Sequence, residues 1–175
     1  MADLTRLRDA IRDVPDFPKP GILFKDITTL LNDAECLRLA LDAFEERWKD
    51  ENLDMIVGID ARGFILGGAL ADRLDCGFVP VRKKGKLPAE TKSAEYALEY
   101  GTDVLEIHAD AFDRGARVLV IDDLLATGGT AVAAARLVKD IGGVLVGMAF
   151  LVNLAFLHGE AKLGDVATQF LVEYE

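Results

Sequence analysis

The sequence predicts an α/β domain with a mostly parallel central sheet and helices on both faces. Two strand–turn–helix units carry that reading. Residues 118–121, Val-Leu-Val-Ile, are a continuous aliphatic run of the kind that fills a central parallel strand buried on both faces. It leads through small residues into an alanine-rich segment, 131–141, whose apolar positions Val132, Leu137, Val138 and Ile141 suit a helix. Residues 53–59 are a second strand, followed by the turn Asp60-Ala61-Arg62-Gly63-Phe64 and a helix over 64–74. Strands alternating with helices in this way give a parallel sheet with crossover helices.

Composition bounds the rest. A chain of 175 residues is expected to form one domain, 1–175, with a substantial core, and a hydrophobic fraction of 51% without low-complexity tracts suits a globular protein. The net charge of −10 argues against a nucleic-acid surface, so any cationic site must be local. Cys36 and Cys76 have neither disulfide-framework nor zinc spacing, which fits a reducing compartment. The first residues lack the apolar core of a signal peptide and no apolar run reaches transmembrane length, so the expectation is a cytoplasmic protein with no membrane partner.

In chain order, Leu4, Leu7, Ile11 and Val14 recur at helical spacing and predict an amphipathic helix over 3–13, stopped by Pro15. Pro15, Pro18, Pro20 and Gly21 then hold the chain extended to about residue 27. Asn32 or Asp33 is the expected N-cap of a helix over 34–49, with Leu37, Leu41, Phe44 and Trp48 as its core stripe. Residues 77–82 are a third strand. Residues 89–104 form a long polar excursion in which 95–100 has strand character, and 105–108 is expected as an edge strand. Gly142-Gly143 ends the alanine-rich helix, 144–152 is a strand, 153–164 is loop and short helix, and 167–174 is a final strand.

The chemistry gathers at the strand ends. Asp122 and Asp123 are expected to terminate the 118–121 strand beside the crevice where open α/β sheets bind ligands. Ala126, Thr127, Gly128, Gly129 and Thr130 follow, small residues and hydroxyls before a helix start, which form an anion cradle. Two carboxylates cannot bind phosphate, so their place ahead of that cradle implies a ligand with hydroxyls or a metal next to its phosphate; a ribose 5-phosphate fits. Arg62 can fork onto phosphate oxygens at its own strand end. Arg82, Lys83, Lys84 and Lys86 put four cations in five residues at the end of the third strand, enough to compensate a pyrophosphate. Ser93 is the only serine, and neither a Gly-x-Ser-x-Gly elbow, a His-Glu-x-x-His helix nor a Gly-x-x-x-x-Gly-Lys loop occurs, so serine hydrolases, zincins and Walker-type triphosphatases lack their parts.

The segment 120–130, Val-Ile-Asp-Asp-Leu-Leu-Ala-Thr-Gly-Gly-Thr, resembles the phosphoribosyl diphosphate (PRPP) signature of the type I phosphoribosyltransferases, in the form carried by adenine phosphoribosyltransferases. Phe17-Pro18-Lys19-Pro20-Gly21 with Phe24, Arg62-Gly63-Phe64, the run from Arg82 to Pro88, Ala97-Leu98-Glu99-Tyr100-Gly101 and the terminal 169–175 extend the resemblance over nearly the whole chain. It implies the type I fold with an N-terminal arm, about 1–33, covering the base, and a small hood with a flexible loop at about 83–105. It implies conversion of adenine and PRPP to AMP and pyrophosphate, with Mg²⁺ held by PRPP and no direct metal ligand, in a homodimer. The site residues implied are Glu99, Asp122 and Asp123 for catalysis and 126–130 for the 5′-phosphate. Ala61, Arg62, Arg82, Lys83 and Lys86 are implied for pyrophosphate, and Leu23, Lys25 and Leu157 for adenine. Alternation in 97–101 puts Leu98 and Tyr100 on one face and Glu99 on the other, from which a closing hood could aim Glu99 at the purine. The chain departs from many members at Ala61, where they have serine, and at Asn153 and His158, where they have glutamate and lysine. A phosphoribosyltransferase for guanine, hypoxanthine or xanthine, and a PRPP-binding regulator without catalysis, are the alternatives.

Overall fold

Helix α1 (Thr5–Ala10) opens the computed structural model, which describes residues 4–98 and 101–175. It is shorter than the helix expected over 3–13. The chain becomes extended at Ile11, and β1 (Arg12–Pro15) pairs antiparallel with β2 (Leu23–Asp26), placing Val14 opposite Phe24. Pro15 disfavours helical backbone at Val14, and the strand partner decides the rest. Asp26 accepts from the Thr28 N–H and hydroxyl at 2.9 and 2.7 Å, starting the one-turn helix α2 (Thr28–Leu31), which has no signal in the apolar spacing. Helix α3 (Ala34–Trp48) is capped as expected: the Asp33 carboxylate accepts from the N–H groups of Glu35 and Cys36 at 2.9 and 3.2 Å. Cys36, Ala40, Leu41, Phe44 and Trp48 are its buried face.

The remaining elements build a seven-stranded sheet. They are β3 (Met55–Ile59), α4 (Arg62–Arg73), β4 (Gly77–Lys83), β5 (Thr91–Leu98), β6 (Gly101–His108), β7 (Arg117–Leu125), α5 (Gly129–Asp140), β8 (Val144–Leu154) and β9 (Thr168–Tyr174). The strand order is β5-β6-β4-β3-β7-β8-β9; the five from β4 to β9 run parallel, β6 runs antiparallel to β4, and β5 runs antiparallel to β6. Two expectations are corrected. The 105–108 segment lies in β6, an internal strand, because the polar excursion before it folds back as β5 and covers its outer edge along the whole hairpin. Strand β7 does not end ahead of Asp122 and Asp123. Its pairing with β3 stops at Ile121, but β8 accompanies it to Leu125, so the acidic pair sits on a strand with one free side.

Alternation along β7 feeds two cores. Leu119 and Ile121 face α3 and α4 with Phe44, Trp48 and Leu70, while Val118 and Val120 face α5 with Leu137 and Val138. Gly147 of β8 leaves room for the Trp48 ring, which a Cβ there would strike. Among the described residues no helix is long and apolar enough to cross a membrane. From β3 the chain crosses through α4 to β4 on one side, whereas from β7 it crosses through α5 to β8 on the other. The carboxyl ends of β3 and β7 therefore bound a crevice from which the two connections diverge, the topological position at which such sheets bind ligands.

Candidate active site

The crevice has a volume of about 360 Å³, and its lining joins Asp60, Ala61 and Arg62 after β3, Lys83 of β4, Tyr96 of β5, and Asp122, Asp123, Ala126 and Thr130 from β7 onward. Segments far apart in sequence thus meet. A smaller recess of about 80 Å³ opens beside it, lined by Asp122 and by 126–130. Gly128 is the N-cap of α5 with φ +80°, and a Cβ on it would lie 2.6 Å from the Gly159 carbonyl oxygen. A Cβ on Gly129 would likewise lie 3.1 Å from the Ala97 carbonyl oxygen of the hood strand. The recess lies at the first turn of this helix, where N–H groups lack intrahelical acceptors and the helix dipole favours an anion.

The acidic pair is built into the sheet end. Asp122 Oδ1 accepts the Asp123 N–H at 2.8 Å. The first turn of α4 packs so closely on Asp122 that a Cβ at Gly63 would lie 2.9 Å from the same oxygen. Burial, followed by the neighbouring Asp123 charge, holds the Asp122 carboxyl well above the usual carboxylate range. Asp123 is 6% exposed and accepts from Arg62 Nε.

Three of the cations expected at the pyrophosphate end are engaged by carboxylates. Arg62 holds Asp123, Arg82 Nε donates to Asp60 Oδ2 at 2.9 Å, and Lys83 Nζ lies 3.0 Å from Asp103 Oδ2. The Tyr96 hydroxyl donates to Asp103 at 3.2 Å, and Lys83 holds the Asp103 carboxyl below its usual range. Lys86 closes the basic turn, its N–H donating to Lys83 O at 3.2 Å. Asp60, Tyr96 and Asp103 were missed by sequence reasoning. Asp60 stands within the recognised turn, but its partner is visible only once β3 and β4 are paired.

Toward the base side, the arm presents Phe24, whose ring lies 5.6 Å from the Arg62 guanidinium. Lys25, its neighbour on the opposite face of β2, donates to Asp13 at 2.6 Å and sits 3.9 Å from the Tyr174 ring centroid, leaving its backbone as what it can offer the crevice. Leu23 is 49% exposed, and Leu157 is 37% exposed on the short turn Ala155–Leu157 that follows β8. Asn153 is fully buried, its amide donating to Glu173 at 3.0 Å. Glu99 lies outside the described residues.

Residues 27–166 match the phosphoribosyl transferase domain. An adenine phosphoribosyltransferase of Gloeobacter violaceus is 60% identical over 159 residues, covering 91% of this chain and 93% of the relative. The chain belongs to the adenine phosphoribosyltransferase family. The crystal structure of the Rhodothermus marinus adenine phosphoribosyltransferase superposes with a TM-score of 0.94 at 53% identity, over 98% of both chains. The Saccharomyces cerevisiae enzyme, complexed with an imino-altritol bisphosphate and adenine, gives 0.91 at 40% identity over 96% of this chain and 97% of its own. Fold class and family are therefore as the sequence motifs implied.

Proposed function

We propose that this protein is a pentosyltransferase that joins adenine to the ribosyl carbon of PRPP, giving AMP and pyrophosphate in purine salvage. The observation that carries the reading is the convergence in one crevice of an anion recess, an acidic pair and a basic end. The N–H groups and hydroxyls of 126–130 take the 5′-phosphate. Asp122 and Asp123 face the ribose hydroxyls, and their charge favours the cationic ribosyl centre that develops as pyrophosphate departs. Ala61, Arg62, Arg82, Lys83 and Lys86 take the pyrophosphate, which exchanges with the carboxylates now holding the cations. Phe24 with the backbone at Leu23 and Lys25, and Leu157 from the opposite side, cover the adenine. Glu99 accepts the proton that adenine loses at N9.

Among the described residues no three potential ligands cluster around a metal position, and Asp60 and Asp123 are already bound to arginines. Mg²⁺ would be carried on PRPP oxygens, where it would neutralise the leaving group. Residues 1–175 act as one catalytic unit, as a homodimer in the cytoplasm, with adenine, PRPP, AMP and pyrophosphate as its ligands. The test is the purified protein with PRPP, Mg²⁺ and each purine in turn, scored for mononucleotide. AMP from adenine alone is the expected result. Preferred turnover of guanine, hypoxanthine or xanthine selects another purine enzyme, and PRPP binding without product selects a regulator.

A further inference from the structure

Glu106 is a carboxylate buried at 7% exposure outside the acidic pair, and the chemistry above makes no use of it. It lies on β6 in register with Arg82 on one side and Ser93 on the other, directly beside the root of the basic turn. The nearby cations are directed elsewhere, Arg82 to Asp60 and Lys83 to Asp103. Glu106 Oε2 instead accepts the backbone N–H of Gly85 at 2.9 Å, while Oε1 accepts the Ser93 hydroxyl at 3.4 Å. Gly85 has φ +79° and forms the bend of the turn, closed by the Lys86 N–H on Lys83 O at 3.2 Å and joined to β6 by the Lys84 N–H on Val104 O at 3.0 Å.

A buried carboxylate is costly unless polar partners satisfy it, and a turn crowded with cations repels itself. Both costs are met by one contact. We propose that Glu106 is a positioning residue for pyrophosphate: its hydrogen bond to the Gly85 N–H fixes the turn that carries Lys83 and Lys86 beside the crevice. The inference rests on the reading that this turn binds pyrophosphate. A tethered turn loses less freedom when the ligand arrives than a free one, so the tether acts on pyrophosphate affinity and leaves the distant 5′-phosphate recess unaffected.

Three variants separate the possibilities. Glu106→Asp keeps the charge but draws it back from Gly85, Glu106→Ala removes it, and Glu106→Gln keeps an acceptor of the same reach. Inorganic pyrophosphate with Mg²⁺, and AMP separately, are titrated into each by calorimetry. Glu106→Asp and Glu106→Ala are expected to weaken pyrophosphate about ten- to a hundredfold, the scale of one charge-assisted hydrogen bond, with AMP affinity kept. Glu106→Gln is expected to restore most of that loss. Unchanged pyrophosphate binding in Glu106→Asp, an equal loss of AMP, or failure of Glu106→Gln to restore affinity overturns the proposal; should Glu106→Ala not fold, the Asp and Gln pair decides. If the parent protein itself does not bind pyrophosphate, the assignment of the turn fails first and the inference falls with it.

Discussion

Asp122 concentrates the tension of this site in one side chain. Its carboxyl is held above the ordinary carboxylate range by burial first and by Asp123 second, so in the pH window between its unfolded and folded values the folded chain binds more protons than the unfolded one. The stability associated with this group is therefore fully present below the ordinary carboxylate range and lost as pH rises through the raised value. Asp122→Asn keeps the acceptor for the Asp123 N–H and removes the charge. Its thermal midpoint is expected to exceed the parent's at high pH, with the gap closing on acidification; a gap that stays constant across pH would show that charge is not the cause. Such a gain accompanies lost turnover, since the same charge is assigned to the transition state. Glu99→Gln is expected to bind AMP and PRPP almost normally yet turn over about a hundred to ten thousandfold more slowly, with the loss in the single-turnover chemical rate. An unchanged chemical rate would assign the proton to water. At this scale the acidic pair, the recess residues and the basic run were legible because each is contiguous and stands at the end of an apolar run. Asp60, Asp103 and Glu106 were not, because what gives them roles is strand pairing.

At the scale of elements, the strand–turn–helix pattern located β3, α4, β7 and α5, since the periodicity of an isolated segment reflects what it buries. It failed where a partner overrode local spacing. Val14 continued the helical pattern of α1 but joined β1 through pairing with Phe24, and the polar 89–104 segment became half of a hairpin that turned the expected edge strand into an internal one. The junction of β7 and α5 shows how an element terminus becomes a binding feature. Gly128 adopts a left-handed conformation that costs other residues about 1–2 kcal/mol, and a Cβ there also meets the Gly159 carbonyl at 2.6 Å. Gly128→Val is expected to lower stability and to raise the dissociation constants of AMP and PRPP together. Pyrophosphate, bound through Arg62 and the basic turn, should keep its affinity. Retention of AMP affinity by this variant would remove the recess from 5′-phosphate binding.

On the scale of the whole molecule, the distribution of apolar surface bears on assembly. Phe17 and Leu23 on the arm, Ile65 on α4, and Phe156 and Leu157 after β8 are large apolar side chains exposed by 50%, 49%, 49%, 54% and 37%. Ile65 lies one helical turn beyond Arg62, on the side of α4 opposite its buried Leu66 and Leu70. A second chain seated there would cover apolar surface next to the pyrophosphate end of the crevice. A self-complementary patch closes into a two-fold pair, the commonest arrangement of soluble oligomers, and a stable pair needs about 800 Å² from each partner. A net charge of −10 on each chain opposes association, so the pair should tighten as salt screens that repulsion. Sedimentation at assay concentration is expected to give an active species of twice the 19.0 kDa chain mass, more fully associated at high ionic strength. Activity confined to a 19.0 kDa species at every salt concentration would show that one chain completes the crevice alone.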